Sequence, residues 1–152
     1  MRKKIGFISD WNYPRGKVYI AKIMMECLKS YHDVFLFANS CCTPITDEFN
    51  IISTIRINVF AKPKEKDIVQ WIKQNELDYI VLIETGQWDN DYSLYPLIKK
   101  LGVKTIAFLE WERFDESIID IYRNVDLIIC PIESFYNKCL KLNLTNVVLI
   151  NF

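Results

Sequence analysis

Carboxylates and indole rings recur together at three places in this chain. Asp10, Trp11, Tyr13, Arg15 and Gly16 form the first group, Glu84, Thr85, Gln87 and Trp88 the second, and Glu110, Trp111, Glu112 and Arg113 the third. Such a set suits a polyhydroxylated ligand, because the acids accept hydroxyl hydrogen bonds while a flat indole covers the apolar face of a pyranose. The plainer reading gives the tryptophans a packing role over helix ends and leaves the acids solvated or capping helices, as Asp89 and Asp115 are placed to do.

Each group follows a short apolar run that reads as a buried strand. Ile5–Ile8 precedes the first, Tyr79–Ile83 the second and Val103–Leu109 the third. Between the runs, apolar residues recur at helical spacing. Val18, Ile20, Ala21, Ile23, Met24, Cys27 and Leu28 form one stripe, and Ile68, Val69, Trp71 and Ile72 another. Further helices are expected over 92–101, closed by Gly102 in a left-handed cap, around Ile118–Tyr122, and over 134–142. The remaining strands are expected at Asp33–Ala38, at Thr54–Phe60 toward the sheet edge, at Asp126–Cys130 before Pro131, and at Asn146–Ile150. Strands alternating with helices predict an α/β fold: a doubly wound, mainly parallel sheet of about seven strands with helices on both faces, Rossmann-like. In such a sheet the loops leaving the carboxyl ends of the strands line one crevice, which would gather the three groups.

Length and charge limit the alternatives. With 152 residues, 51% of them hydrophobic, the chain is expected to form one domain over 1–152. Nineteen basic and nineteen acidic residues cancel, so no overall field draws nucleic acid. No apolar run approaches the roughly twenty residues that span a bilayer, and the expected location is the cytoplasm. Cys27, Cys41, Cys42, Cys130 and Cys139 contain no C-x-x-C pair and have only His32 as a histidine companion, so neither a zinc site nor a disulfide framework is expected. They read as reduced thiols.

Several chemistries are disfavoured by their motifs. Arg15-Gly16 is not G-x-G-x-x-G, and no P-loop occurs. A phospho-receiver would need an acidic pair after the first strand and an aspartate after the third, where Phe60-Ala61 stands. His32 falls between the first helix and second strand, opposite the expected crevice, which argues against a Ser-His-Asp site. No cofactor and no metal is expected.

The order of elements, with KKIGFISDWNYPRGKVYIAKIMMECLKSYHDVFLFAN at the start and VDLIICPIESFYNKCLKLNLTNVVLINF at the end, resembles the N-terminal Rossmann-like domain of a GT-B glycosyltransferase of the family-4 type. In that family a Gly-Gly pair opens the first helix, a Gly-His step enters the second strand, and an Asn-Gly turn follows the last strand. Arg15-Gly16, Tyr31-His32-Asp33 and Asn151-Phe152 stand there in this chain. The resemblance implies the acceptor-binding half of a two-domain transferase, inactive alone. A missing C-terminal domain would hold most of the nucleotide-sugar donor, and the acceptor would be a carbohydrate or glycolipid. It also implies peripheral contact with the inner face of a membrane and weak self-association through the crevice side. Glu110 stands where family members often place a histidine and would serve as the catalytic acceptor of the hydroxyl proton. Asp10, Trp11, Tyr13, Arg15, Gly16, Glu84, Thr85, Trp111, Glu112 and Arg113 would bind substrate. The other expectation is a free-standing α/β module that binds a ligand or partner without catalysis.

Overall fold

A computed structural model of the protein describes residues 1–11, 16–41, 51–53, 64–83, 94–109, 114 and 116–150. Among the described residues seven strands form one sheet: β1 (Lys4–Trp11), β2 (Asp33–Cys41), β3 (Ile51–Ser53), β4 (Tyr79–Ile83), β5 (Lys104–Phe108), β6 (Leu127–Cys130) and β7 (Val147–Leu149). The described α-helices are α1 (Gly16–Lys29), α2 (Glu65–Asn75), α3 (Leu94–Lys100), α4 (Ile119–Tyr122) and α5 (Glu133–Lys141). The strand order is β3-β2-β1-β4-β5-β6-β7, and every neighbouring pair is parallel. The predicted doubly wound α/β class is therefore the observed one.

Alternation along the strands divides the interior in two. Ile8, Phe37, Ile80, Leu82, Ala107, Ile128 and Cys130 point to one face, where they meet Ile68, Trp71 and Ile72 of α2, Tyr95 and Ile98 of α3, Tyr122 of α4, and Phe135 and Cys139 of α5. Ile5, Phe7, Val34, Leu36, Val81, Phe108 and Ile129 point to the other, where the described helical residues all come from α1: Val18, Ala21 and Met25 at the centre. A period of two in the strands and of 3.6 in the helices is what makes both layers bury one side. Gly6 lies on β1 where Trp71 presses closest. A Cβ there would come within 2.6 Å of Trp71 Cη2 and Leu77 Cδ1.

The amino edge of the sheet is fastened by a repeated device. Asp33, Asp78 and Asp126 each stand at or just before the first residue of a strand. Asp78 Oδ2 accepts from the Lys4 amide at 2.9 Å, and Asp126 Oδ2 accepts from the Thr105 amide at 2.9 Å and the Thr105 hydroxyl at 3.1 Å. Ion pairs Arg2–Asp33 (2.8 Å), Lys3–Asp78 (3.2 Å) and Lys104–Asp126 (2.7 Å) reinforce them. The Asp78 and Asp126 carboxylates thus satisfy backbone amides at the start of a neighbouring strand, while Asp33 accepts from the Arg2 side chain. Asp78 is held below the ordinary carboxylate range chiefly by the Lys4 amide, against the opposing effect of burial. At Asp126 burial pushes upward most strongly, yet the Lys104 ammonium and both Thr105 donors together outweigh it and bring the group down.

Elsewhere the chain follows the expected plan with local differences. Gly102 has φ of 76°, the left-handed cap predicted for it. β1 runs on through Ser9-Asp10 to Trp11, past the expected stop, because β2 continues to pair with it as far as Trp11↔Cys41. The helix expected around Ile118–Tyr122 is a 3-10 turn at Glu116–Ile118 followed by the single turn of α4. Asn124 Nδ2 donates to Asp120 O at 2.7 Å, and Asn146 Nδ2 to Tyr122 O at 2.9 Å and Val125 O at 2.6 Å, which occupies the carbonyls a longer helix would use. The third strand expected at 54–60 lies outside the described residues, and the described edge strand is Ile51–Ser53. Among the described residues no helix is long and apolar enough to cross a membrane.

Candidate functional site

The strand order reverses between β1 and β4: the chain proceeds from β1 outward through β2 to β3, then returns to lay β4 on the other side of β1. The helix after β1, α1, packs on one face of the sheet and the helix after β4, α3, on the other, the arrangement that in open parallel sheets marks the place of a ligand crevice at the carboxyl edge. The last β1–β4 pair is Ile8↔Leu82, so Ser9, Asp10 and Trp11 project past it along the rim of that crevice. On the other side the β1–β2 ladder changes register between Ser9↔Ala38 and Trp11↔Cys41. An extra residue in one strand re-aims the side chains beside it, and such irregularities concentrate at sheet ends and next to sites.

Asp10 is the predicted site residue that this geometry emphasises. It is 1% exposed, at the end of the central strand, and Ser9 beside it is also 1% exposed. Ser9 Oγ has no hydrogen-bond partner among the described residues. The α-helix that follows opens at Gly16 and carries no acidic residue in its first turn. Asp10 is the carboxylate nearest to it along the chain on the N-terminal side, so the positive end of α1 and this acid belong to one strand, loop, helix unit. Gly16 itself is exposed, and a Cβ there would meet nothing within 4 Å, so room rather than backbone strain characterises this helix start.

Trp11 is placed differently from the expected crevice wall. It is 3% exposed and packed among Val18, Ala21, Met25 and Phe108, and the Lys22 ammonium lies 4.7 Å from its ring centroid. The indole is thus covered by α1. Its polar neighbour satisfies the ring face by a cation–π contact rather than leaving it to a ligand.

The remaining predicted site residues, Tyr13, Arg15, Glu84, Thr85, Glu110, Trp111, Glu112 and Arg113, lie outside the described residues. Ser9 was missed as a candidate; its signal was a polar pair ending an otherwise apolar run. His32 sits at the amino edge as expected, where its Nδ1 accepts from the Lys3 amide at 3.4 Å. Among the described residues no group of His, Cys, Asp and Glu is arranged to hold a metal ion.

No family model matches this chain, and no curated protein matches it. Among solved structures it is similar to an isochorismatase-like hydrolase from Alkaliphilus metalliredigens, with 12% identity and a TM-score of 0.43 over 99% of this chain and 94% of that one. At that identity and TM-score the likeness carries no argument about this chain. The expectation of a GT-B glycosyltransferase acceptor domain is corrected by these findings, together with the transferase and nucleotide-sugar vocabulary attached to it. No family model and no curated protein supports it. The expected alternative, a module without catalysis, gains no support either. The physical reason is that the resemblance rested on the order of elements, and a doubly wound sheet of this order hosts many unrelated functions.

Proposed function

We propose that the protein binds a small polar ligand rich in hydrogen-bond donors in the crevice outside the carboxyl ends of β1 and β4, with the Asp10 carboxylate as its anchor. The observation that carries this reading is the burial of Asp10, 1% exposed at the point where the strand order reverses. A carboxylate removed from water must meet donors, and its two oxygens can accept from a ligand as well as from groups of the chain. Chains retain such groups where binding or chemistry needs an acceptor, and the switch point is where an open parallel sheet offers a ligand space. The Ser9 hydroxyl supplies a second polar atom on the same strand end. Hydroxyl-bearing and amine-bearing ligands both fit a carboxylate acceptor.

A cytoplasmic location belongs to the same proposal. What supports it is that Cys27, Cys130 and Cys139 are free thiols, with the sulfurs of Cys130 and Cys139 3.9 Å apart and unbonded.

The test is a thermal-shift screen of polyols, nucleosides and small amines against the native protein and Asp10→Asn. A ligand at one hundred times its dissociation constant stabilises the native protein by about 2.7 kcal/mol. Asp10→Asn should abolish that gain while unfolding at the same or a higher temperature, because a group retained for binding is not retained for stability. A panel without any hit, together with an Asp10→Asn variant that unfolds markedly earlier, would make Asp10 a structural acceptor and refute the reading.

A further inference from the structure

We propose that Cys130 and Cys139 form a redox switch, a dithiol that hydrogen peroxide converts into a disulfide fastening α5 to the end of β6. Cys130 is the last residue of β6, and Cys139 lies near the end of α5. They are nine positions apart in the chain, their sulfurs are 3.9 Å apart, and both side chains are fully buried. A disulfide needs about 2 Å between its sulfurs, and the approach is shared by two side chains that each turn on one torsion. Both thiols belong to the apolar cluster that holds Tyr122, Phe135 and Leu144, while the chain's single histidine, His32, stands at the amino edge. The chemistry open to the pair is that of two thiols with each other.

The pair is asymmetric. Cys130 donates its S–H to the Cys139 sulfur. That hydrogen bond brings the Cys139 thiol down, against the opposing effect of burial, and the Lys138 ammonium contributes in the same direction. Cys139 is accordingly the attacking sulfur. Its thiolate takes one oxygen of the peroxide, the O–O bond breaks, and the departing hydroxide leaves as water with the proton the thiol had given up. The Cys130 sulfur then displaces the hydroxyl of the Cys139 sulfenic acid, which leaves as a second water with the Cys130 proton. Two thiols are oxidised to one disulfide, and one peroxide is reduced to two waters. The way in is through α5, which has nine residues and an N-cap, Ile132, that makes no side-chain capping bond. A helix of that length depends on its packing, so its local opening admits the oxidant, and the disulfide then holds it closed.

The test is peroxide treatment of the folded protein, then alkylation of the remaining thiols and tryptic mapping. Cleavage after Lys138 separates the two cysteines, so the disulfide appears as peptides 124–138 and 139–141 joined, and dithiothreitol parts them. The oxidised native protein should unfold about 5–10 °C above its reduced form. Cys130→Ala treated in the same way should gain nothing over its own reduced form. Recovery of both cysteines as thiols once the exposed Cys27 is fully oxidised would overturn the inference. So would joined peptides without the thermal gain, or an equal gain in Cys130→Ala.

Discussion

Replacing Gly6 by alanine should destabilise the fold even though alanine ordinarily improves a strand. The added Cβ would lie 2.6 Å from Trp71 Cη2 and from Leu77 Cδ1 and 2.8 Å from Ile80 Cδ1, whereas ordinary carbon contacts begin near 3.4 Å. Three neighbours must each retreat, and two of them, Trp71 and Ile80, are among the largest fully buried side chains. Trp71 is further held edge-on against Phe37, with ring centroids 5.4 Å apart. Overpacking of this kind costs about 1–3 kcal/mol. Against it stands about 0.5–1 kcal/mol recovered by removing glycine's conformational freedom from the unfolded chain. The net expectation is a loss centred on about 1.3 kcal/mol and no larger than about 2.5 kcal/mol, measured by urea unfolding. Trp71→Phe deletes the atom that meets the new methyl, so in that background the Gly6→Ala loss should shrink by at least about 0.5 kcal/mol. A Gly6→Ala protein as stable as the native one, or a loss unchanged by Trp71→Phe, would refute the packing argument.

Two further outcomes follow from the charges and thiols. Asp78 and Asp126 titrate below their ordinary value of 3.8 in the folded chain, so their contribution is present above that value and is lost as pH falls through the folded ones. Stability should therefore drop steeply in acid below about pH 4, and Asp126→Asn should flatten the profile there while lowering stability at neutral pH. The hydrogen bond to Cys139, and after it burial, hold the Cys130 thiol protonated well above the ordinary thiol range, and both side chains are fully buried. In dilute protein, iodoacetamide followed by peptide mass mapping should label Cys27 at least tenfold faster than Cys130 and Cys139.

The arrangement of the strands and helices was legible because two periods alternate cleanly along the chain. Tyr79–Ile83 is an uninterrupted apolar run bounded by polar residues, and β4 has those limits. The stripe of Ile68, Trp71 and Ile72 is likewise the buried side of α2. Trp11 was misjudged because the polar pair Ser9-Asp10 looks like the end of a strand. The ladder with β2 carries β1 across that pair, and Trp11 then falls on the same face as Ile5 and Phe7, under α1. The aspartates at 33, 78 and 126 carried a signal that spacing alone does not reveal, since it appears only when neighbouring strand starts are brought side by side. Asp10 was legible as a candidate from its place after the first strand; its burial was not, because burial depends on segments distant in sequence, β2 among them, which pairs with β1 on both sides of Asp10. The family reading failed at a coarser level. Element order identifies a doubly wound sheet, while function resides in side chains that the order does not specify.

The most direct measurement is an amide chemical-shift map of the isotopically labelled protein, titrated with the best donor-bearing ligand from the thermal screen. Binding in the switch-point crevice predicts the largest shifts at Ser9, Asp10 and Trp11, at Leu82 and Ile83 ending β4, and at Gly16 opening α1, with the amino-edge amides of Lys4 and Thr105 unmoved. The same titration of Asp10→Asn should leave every one of these amides in place. Shifts centred instead on the amino edge or on the α3–α4 surface, or an undiminished response in Asp10→Asn, would contradict a ligand site anchored by Asp10.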